Sequence, residues 1–344
     1  MSNPLVSVII PAFNIQNYLT QCIDSIRSQD FDSFEIIIID DGSTDDTGKI
    51  ARDYADRDPR IRVVTQSNRG LPSARNAGLS IAQGDYIAHI DGDDWIDAGF
   101  LSSMHGCAVK TQADIVFCDF LHDDANGHTW HFRNTSWPPC KSHTPEQFVL
   151  EMALQRASHS SWNKFFKREL FSKNKILYPP EILLAEDLAT TYRLAMVSSI
   201  ITKCSGVYYH YRIRPSGSLM QTINYKGRDA YATFQVMQNF SRNLSAPSSF
   251  VELTDLSLYY YQFTVNARNL GRYNQATEKH LVFQDFLKNR NSLLQNRFFM
   301  KIPLGHRILI LGYCISSILG GLVNNIWIYA LLFLKGIKKI FISE

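Results

Sequence analysis

Charge of one sign, paired cysteines and glycine-rich phosphate loops are all missing from this chain of 344 residues. Each absence removes a class of function. The formal net charge is only +3, so the broad basic field that draws a protein to nucleic acid is lacking, and no nucleic-acid partner is expected. The six cysteines (Cys22, Cys107, Cys118, Cys140, Cys204 and Cys314) are scattered, with no CxxC pair and no metal-ligand spacing. They read as small buried hydrophobes in a reducing compartment, not as a disulfide framework. Neither GxxxxGK[ST] nor GxGxxG occurs, which excludes a P-loop and a dinucleotide fingerprint. The N-terminus has no basic region and no long apolar stretch, and Pro11 interrupts the apolar run that exists. The expectation is a cytoplasmic protein without a secretory signal.

What the chain does contain is alternation. "LVSVII" (5–10), "FEIIIID" (34–40), "IRVVT" (61–65), "DYIAHI" (85–90) and "ADIVFC" (113–118) are short, β-branched and apolar. Such runs suit strands covered on both faces. Amphipathic stretches separate them at 16–28, 45–55, 71–82 and 97–109, and Ser43, Thr44 or Asp45 can cap the second. Strand, helix and strand repeated four times predicts an α/β domain with a mainly parallel, doubly wound sheet. In such sheets ligands bind beyond the carboxyl ends of the strands, where the acidic turns "DDGS" and "DGDD" fall.

The second turn lies in "HIDGDDW" (89–95), with three carboxylates in four positions directly behind an apolar run. Taken alone, such a cluster is as readily a solvated loop. Two carboxylate clusters at the ligand edge of one sheet point further, to a nucleotide held together with a metal. Asp91 and Asp93 can give hard oxygen ligands to Mg²⁺ or Mn²⁺, and a diphosphate can supply the rest. His89, beside this turn, has no paired ligand spacing and by strand alternation belongs to core or surface.

Residues 120–220 are less regular, and 224–300 carry aromatics at helical spacing that predict a packed helical subdomain. From Ile308 to Leu334 no side chain is charged, while Lys301 and Arg307 precede the stretch and Lys335, Lys338 and Lys339 follow it. Cations on both flanks favour a shallow interfacial hairpin on the cytoplasmic face over a simple span, with a buried helix pair as the alternative.

"VSVIIPAFN", "FEIIIIDDGSTDDT", "NRGLPSARNAGL" and "GDYIAHIDGDDW", in that order, closely resemble family 2 glycosyltransferases of the GT-A fold. The likeness is dense over about the first 120 residues. It continues more loosely through "WNKFFKRELF" and "AEDLATTYRLAM", similar to bacterial enzymes that build capsule, exopolysaccharide or lipopolysaccharide. The resemblance implies a GT-A domain over 1–220 with a Rossmann-like sheet flanked by helices; the C-terminal helical extension expected over 221–300 and the membrane-associating tail expected over 301–344 rest on the aromatic spacing and the uncharged stretch alone. It implies an inverting, metal-dependent transferase that moves a sugar from a nucleotide-diphosphate donor, UDP foremost, to a hydroxyl of a glycan or lipid-linked acceptor.

Residue by residue, the resemblance lays Pro11, Ala12 and Phe13 along the base, and Asp41 resembles the aspartate that hydrogen-bonds it. Asp91 matches the residue near ribose and metal, Asp93 the direct metal ligand, and Arg75 a side chain near the nucleotide. Asp187 is similar to the catalytic base, with Glu186 beside it, although an acid in a first helical turn is also what the helix dipole selects. Arg212 and Arg214 can reach the diphosphate or be exposed strand-end arginines. Trp162, Asn163 and Lys164 can line a sugar or acceptor pocket, with Trp162 equally at home in the core. Two rival functions remain at this point: transfer to a polyprenyl phosphate, and non-catalytic binding of a nucleotide sugar. The joint presence of Asp41, Asp91, Asp93 and Asp187 weighs against the second. A nucleotidyltransferase would want a glycine-rich basic loop between Pro11 and Tyr18, and there is none.

Overall fold

Every residue of the first two strands, β1 (Val6–Ala12) and β2 (Phe34–Asp40), is buried, as continuous β-branched runs covered on both faces require. The structure is a computed structural model that describes residues 3–132, 134–182, 185–206, 208–214, 228–244, 247–269 and 291–315. It divides into two compact units, Met1–Ala246 and Pro247–Glu344.

In the first unit, α1 (Leu19–Arg27) buries Leu19, Cys22, Ile23 and Ile26, one apolar stripe at helical spacing that joins the core of Val6, Val8 and Ile10. Next come α2 (Thr47–Ala55), β3 (Ile61–Thr65), α3 (Leu71–Ile81) and β4 (Tyr86–His89). Gly78 lets α3 lie directly on β1, because a Cβ there would sit 2.4 Å from Cγ2 of Ile9. The chain continues through β5 (Trp95–Ile96), α4 (Phe100–Thr111), β6 (Ile115–Phe117), β7 (Phe120–Asp124), β8 (Thr129–Phe132) and β9 (Ser142–His143). Then follow α5 (Pro145–Ala153), β10 (Lys164–Lys167), α6 (Arg168–Asn174), α7 (Glu186–Val197), β11 (Ile201–Lys203) and β12 (Tyr209–Ile213).

The large sheet has the order β3-β2-β1-β4-β10-β6-β11-β9. β3, β2, β1 and β4 run parallel, as the alternation predicts. β6 does not pair with β4, however: β10 inserts between them, antiparallel to both. Phe165 and Phe166 at its centre are both fully buried, so this strand is covered on either face. Such burial carries no information about strand direction, which is why the sequence left it unread.

A second sheet of order β5-β12-β7-β8 occupies the stretch read as irregular. It draws β12 against β5, the two residues that follow the acidic turn. Helix Arg228–Asn243 also belongs to the first unit and buries Phe234 and Met237. The second unit holds helices Ser248–Asn269 and Leu304–Ile315, with Phe250, Leu253 and Leu256 buried. Of the uncharged stretch 308–334, residues 316–334 lie outside the described residues. No helix among the described residues is long and apolar enough to cross a membrane.

Candidate active site

The carboxyl ends of β1, β2 and β4 form one edge, and the loops leaving them are laced together. Pro11 and Ala12 end β1 buried, and Phe13 turns outward, 45% exposed. Beyond it the Asn14 N–H donates to Oγ of Ser43 (3.2 Å), and the Thr44 N–H donates to Oδ1 of Asn14 (2.8 Å). Of the three capping candidates, Asp45 takes the Thr47 N–H at 3.0 Å. Gly42 (φ 77°) makes the turn possible: a Cβ there would lie 2.8 Å from the Asn68 nitrogen.

Asp41 is buried, and three donors hold its carboxylate. These are Nε2 of Gln66 (2.7 Å) and the N–H groups of Arg69 (3.0 Å) and Gly70 (2.8 Å). The aspartate thus fixes the loop that enters α3. A carboxylate has about four acceptor positions, so three bonds leave it room for one more donor.

The acidic turn packs tightly on β1, since a Cβ on Gly92 would lie 2.4 Å from Cδ1 of Ile15 and 3.1 Å from the Pro11 oxygen. Its three carboxylates part company. Asp94 points inward, accepting from the Tyr209 hydroxyl (2.6 Å) and the Arg212 N–H (2.8 Å). The same hydroxyl accepts the Asp91 N–H at 3.1 Å. Asp93 pairs with Nε of Arg214 at 2.9 Å, and Asp91 with Nη2 of Arg75 at 2.9 Å. Burial pushes the Asp91 carboxyl up to about 6; Arg75 opposes the shift, and Asp93 and Asp187 add to it.

Arg75 is the centre of the arrangement. It is 1% exposed, and its Nη1 donates to Oε1 of Glu186 (2.9 Å) and Oδ1 of Asp187 (2.6 Å). Burial works against its charge, but the three carboxylates overcome that and hold it protonated. One guanidinium therefore ties the acidic turn to the first turn of α7. Ala185, the residue before α7, enters with φ 67°, a left-handed conformation that costs a residue with a Cβ roughly 1–2 kcal/mol. Burial first, and repulsion from Asp187 second, raise the Glu186 carboxyl well above its ordinary range. The other oxygen of Asp187 accepts the Ser161 N–H at 3.2 Å, and the Tyr178 hydroxyl donates to Oγ of Ser161 at 2.8 Å.

The remaining expected residues divide. Arg212 and Arg214 both reach the acidic turn instead of standing free: Nε of Arg212 donates to the Asp93 oxygen at 2.8 Å, its guanidinium lying over Trp95 and Tyr18. Asn163 and Lys164 are buried within the fold. Lys164 Nζ donates to the oxygens of Ser158 (2.9 Å) and Ser160 (2.6 Å) and to Oδ1 of Asn163 (2.8 Å), bracing the loop that carries Ser161. Trp162 is core, stacked 4.4 Å from Tyr209 and edge-on to Phe120. His89 is core as well, its ring edge-on to Tyr178 with neither nitrogen hydrogen-bonded among the described residues. Sequence reasoning missed the inward role of Asp94 and its partner Tyr209, and the signal available was only the third carboxylate of "DGDD".

No group of three or more His, Cys, Asp or Glu side chains among the described residues is placed to hold a metal ion. Asp91 and Asp93 each engage an arginine through one carboxylate oxygen. The other oxygen of each lies outside those ion pairs. Two carboxylates with substrate phosphates completing the shell is the usual form of a Mg²⁺ site, so the residues present fit such an ion.

The profile of Glycosyl transferase family 2 matches residues 7–175. Among curated proteins, an uncharacterized glycosyltransferase of Bacillus subtilis, EpsJ, is 38% identical over 54% of this chain and 54% of its own length. Glycosyltransferase GlyG of Streptococcus pneumoniae is 31% identical over 63% of this chain and 73% of its own length. The chain thus spans about half the length of the first relative and about three-quarters of the second. Among solved structures, S. aureus TarS 1-349 in complex with UDP-GlcNAc superposes with a TM-score of 0.71 at 21% identity, covering 89% of this chain and 86% of that one. A Pyrobaculum calidifontis mannosyltransferase, in complex with GDP-Man and Mn²⁺, gives 0.55 at 19% identity over 92% and 88%.

Proposed function

Because this chain belongs to glycosyl transferase family 2, we propose that it is an inverting, metal-dependent transferase that moves a sugar from a UDP-sugar to a hydroxyl of a glycan or lipid-linked acceptor in cell-surface polysaccharide synthesis. The observation that carries the reading is Arg75, which holds Asp91 on one side and Asp187 on the other. A displacement at the anomeric carbon needs charge stabilisation where the diphosphate departs and a proton acceptor where the hydroxyl arrives. The two carboxylate groups are suited to those opposite ends.

The other carboxylate oxygens of Asp91 and Asp93 would hold Mg²⁺ or Mn²⁺, which when bound stabilises negative charge on the diphosphate as a Lewis acid. Asp41 and the turn at Pro11, Ala12 and Phe13 line the same edge and would receive the base, with one acceptor position of Asp41 still open. Arg214 and Arg212 stand at the turn as cations that can shift from Asp93 to phosphate oxygens. Asp187 would take the acceptor's proton. Glu186, held toward its neutral form by burial, is the poorer proton acceptor. The uncharged stretch 308–334 between cationic flanks supports attachment at the cytoplasmic face of the membrane, where lipid-linked acceptors are within reach.

A panel of nucleotide sugars with Mg²⁺ or Mn²⁺, scored by released nucleoside diphosphate, identifies the donor. Asp93→Ala abolishes metal-dependent donor binding in calorimetry while the fold is kept. Undiminished metal-dependent binding in that variant refutes the assignment.

A further inference from the structure

One face of the second sheet carries aromatic side chains that the proposed chemistry does not use. Alternation puts Phe120 and His122 of β7, Phe132 and Trp130 of β8, and Tyr209 and Tyr211 of β12 on that face. The register sets them in two rows, Tyr209–Phe120–Phe132 and Tyr211–His122–Trp130. Phe120 and Phe132 stack at 4.5 Å, His122 stands 5.3 Å from Tyr211 and 5.5 Å from Trp130, and Trp162 contacts both Tyr209 and Phe120. Both rows grade from core to solvent. Tyr209 and Phe120 are buried, Tyr211 and His122 half-buried, and Phe132 and Trp130 are 36% and 46% exposed. Nδ1 of His122 is buried with no hydrogen-bond partner among the described residues.

The inner end of this strip meets the candidate site at two points. Trp162, stacked on Tyr209 and Tyr211, follows Ser161, whose N–H bonds Asp187. The Tyr209 hydroxyl holds both the Asp91 N–H and the Asp94 carboxylate. An acceptor whose hydroxyl reaches Asp187 extends beyond the reacting sugar, and Ser161 and Trp162 link that end of the site to the strip.

We propose that Tyr211, His122, Trp130 and Phe132 form a carbohydrate platform that bears the acceptor glycan beyond the sugar that receives the transfer. The inference rests on the transferase reading above. Broad rigid rings suit the apolar C–H faces of pyranoses. The local charge favours a glycan over a lipid surface: of the charged side chains in β7, β8 and β12, alternation puts only Asp124 on the strip's face, Asp123 and Arg212 lying on the other, so anionic headgroups find no cationic partner in these strands.

The test uses the full chain, with UDP and Mn²⁺ present, on an array of short β-linked glucose, galactose and N-acetylglucosamine oligosaccharides. Parallel flotation uses vesicles of phosphatidylcholine and phosphatidylglycerol. The parent retains at least one glycan, Trp130→Ala retains it roughly three- to tenfold more weakly, and UDP binding by calorimetry is unchanged. His131→Ala, on the opposite face of the same strand, retains the glycan as the parent does. The proposal is overturned if Trp130→Ala together with Phe132→Ala leaves glycan capture intact while melting as the parent does. It is equally overturned if a parent that binds UDP captures no glycan, or if Trp130 governs vesicle binding instead. A parent that binds no nucleotide or nucleotide sugar refutes the transferase reading itself, and Trp130-dependent glycan capture would stand apart from that result.

Discussion

Replacing Arg75 with Met removes the one cation shared by Asp91, Glu186 and Asp187 while keeping most of the side chain's volume. The guanidinium makes three ion pairs of 2.6–2.9 Å from a position that solvent does not reach. Its loss leaves three carboxylates facing one another in a poorly hydrated space. Breaking a buried charge pair costs about 3–5 kcal/mol, chiefly through the uncompensated charge left behind. Each kcal/mol lowers the melting temperature of a domain of this size by about 2–4 °C, so a fall of about 6–20 °C is expected. Thermal unfolding of parent and variant at neutral pH measures it. A second variant separates charge from packing: Arg75→Met with Glu186→Gln and Asp187→Asn removes two of the three stranded carboxyl groups and should regain a substantial part of the loss. Arg75→Lys keeps the charge but lacks the planar fork that spans both sides, and should fall between parent and Met variant. A Met variant within about 1 kcal/mol of the parent, or a triple variant no more stable than the single one, would refute the reasoning.

Two further outcomes follow from individual contacts. Asp187→Asn should bind donor nucleotide and metal as the parent does yet transfer sugar about 10²–10⁴-fold more slowly; near-normal turnover would move the base elsewhere, with Glu186 the first residue to examine. Asp58 is gripped by Arg60 (2.8 and 3.0 Å) and Arg27 (3.1 Å), and the hydrogen bonds from Arg60 hold its carboxyl well below the usual range. The unfolded chain then binds the extra proton first, so this stabilisation is present above about pH 4 and is lost as pH falls toward the depressed folded value. The melting-temperature gap between parent and Asp58→Asn should be full near neutrality and narrow below about pH 4, and a gap constant with pH would count against it.

How much the sequence decided depends on the range over which each interaction acts. Strands β1 to β4 and the helices between them were legible because continuous β-branched runs and 3.6-residue stripes are local signals, and parallel pairing follows from the crossover helices alone. The placing of both acidic turns at one sheet edge followed from the same alternation. The antiparallel insertion of β10 did not, because Phe165 and Phe166 are buried whichever way the strand runs. The second sheet was hidden for another reason: its strands come from positions 95, 120, 129 and 209, and nothing local announces which distant partner completes each ladder.

In the site, the residue types at Asp41, Asp91, Asp93 and Asp187 were readable, but their electrostatics were not. That Asp94 turns inward to Tyr209, and that Lys164 braces a loop instead of facing a pocket, depends on contacts with residues far off in the chain. The same holds for Arg75, which joins residues 16, 111 and 112 positions away. Sequence by itself set the local elements and the chemical groups available; burial and cross-chain pairing, which exist only once the sheet has closed, decided which of those groups meet and what charge they carry.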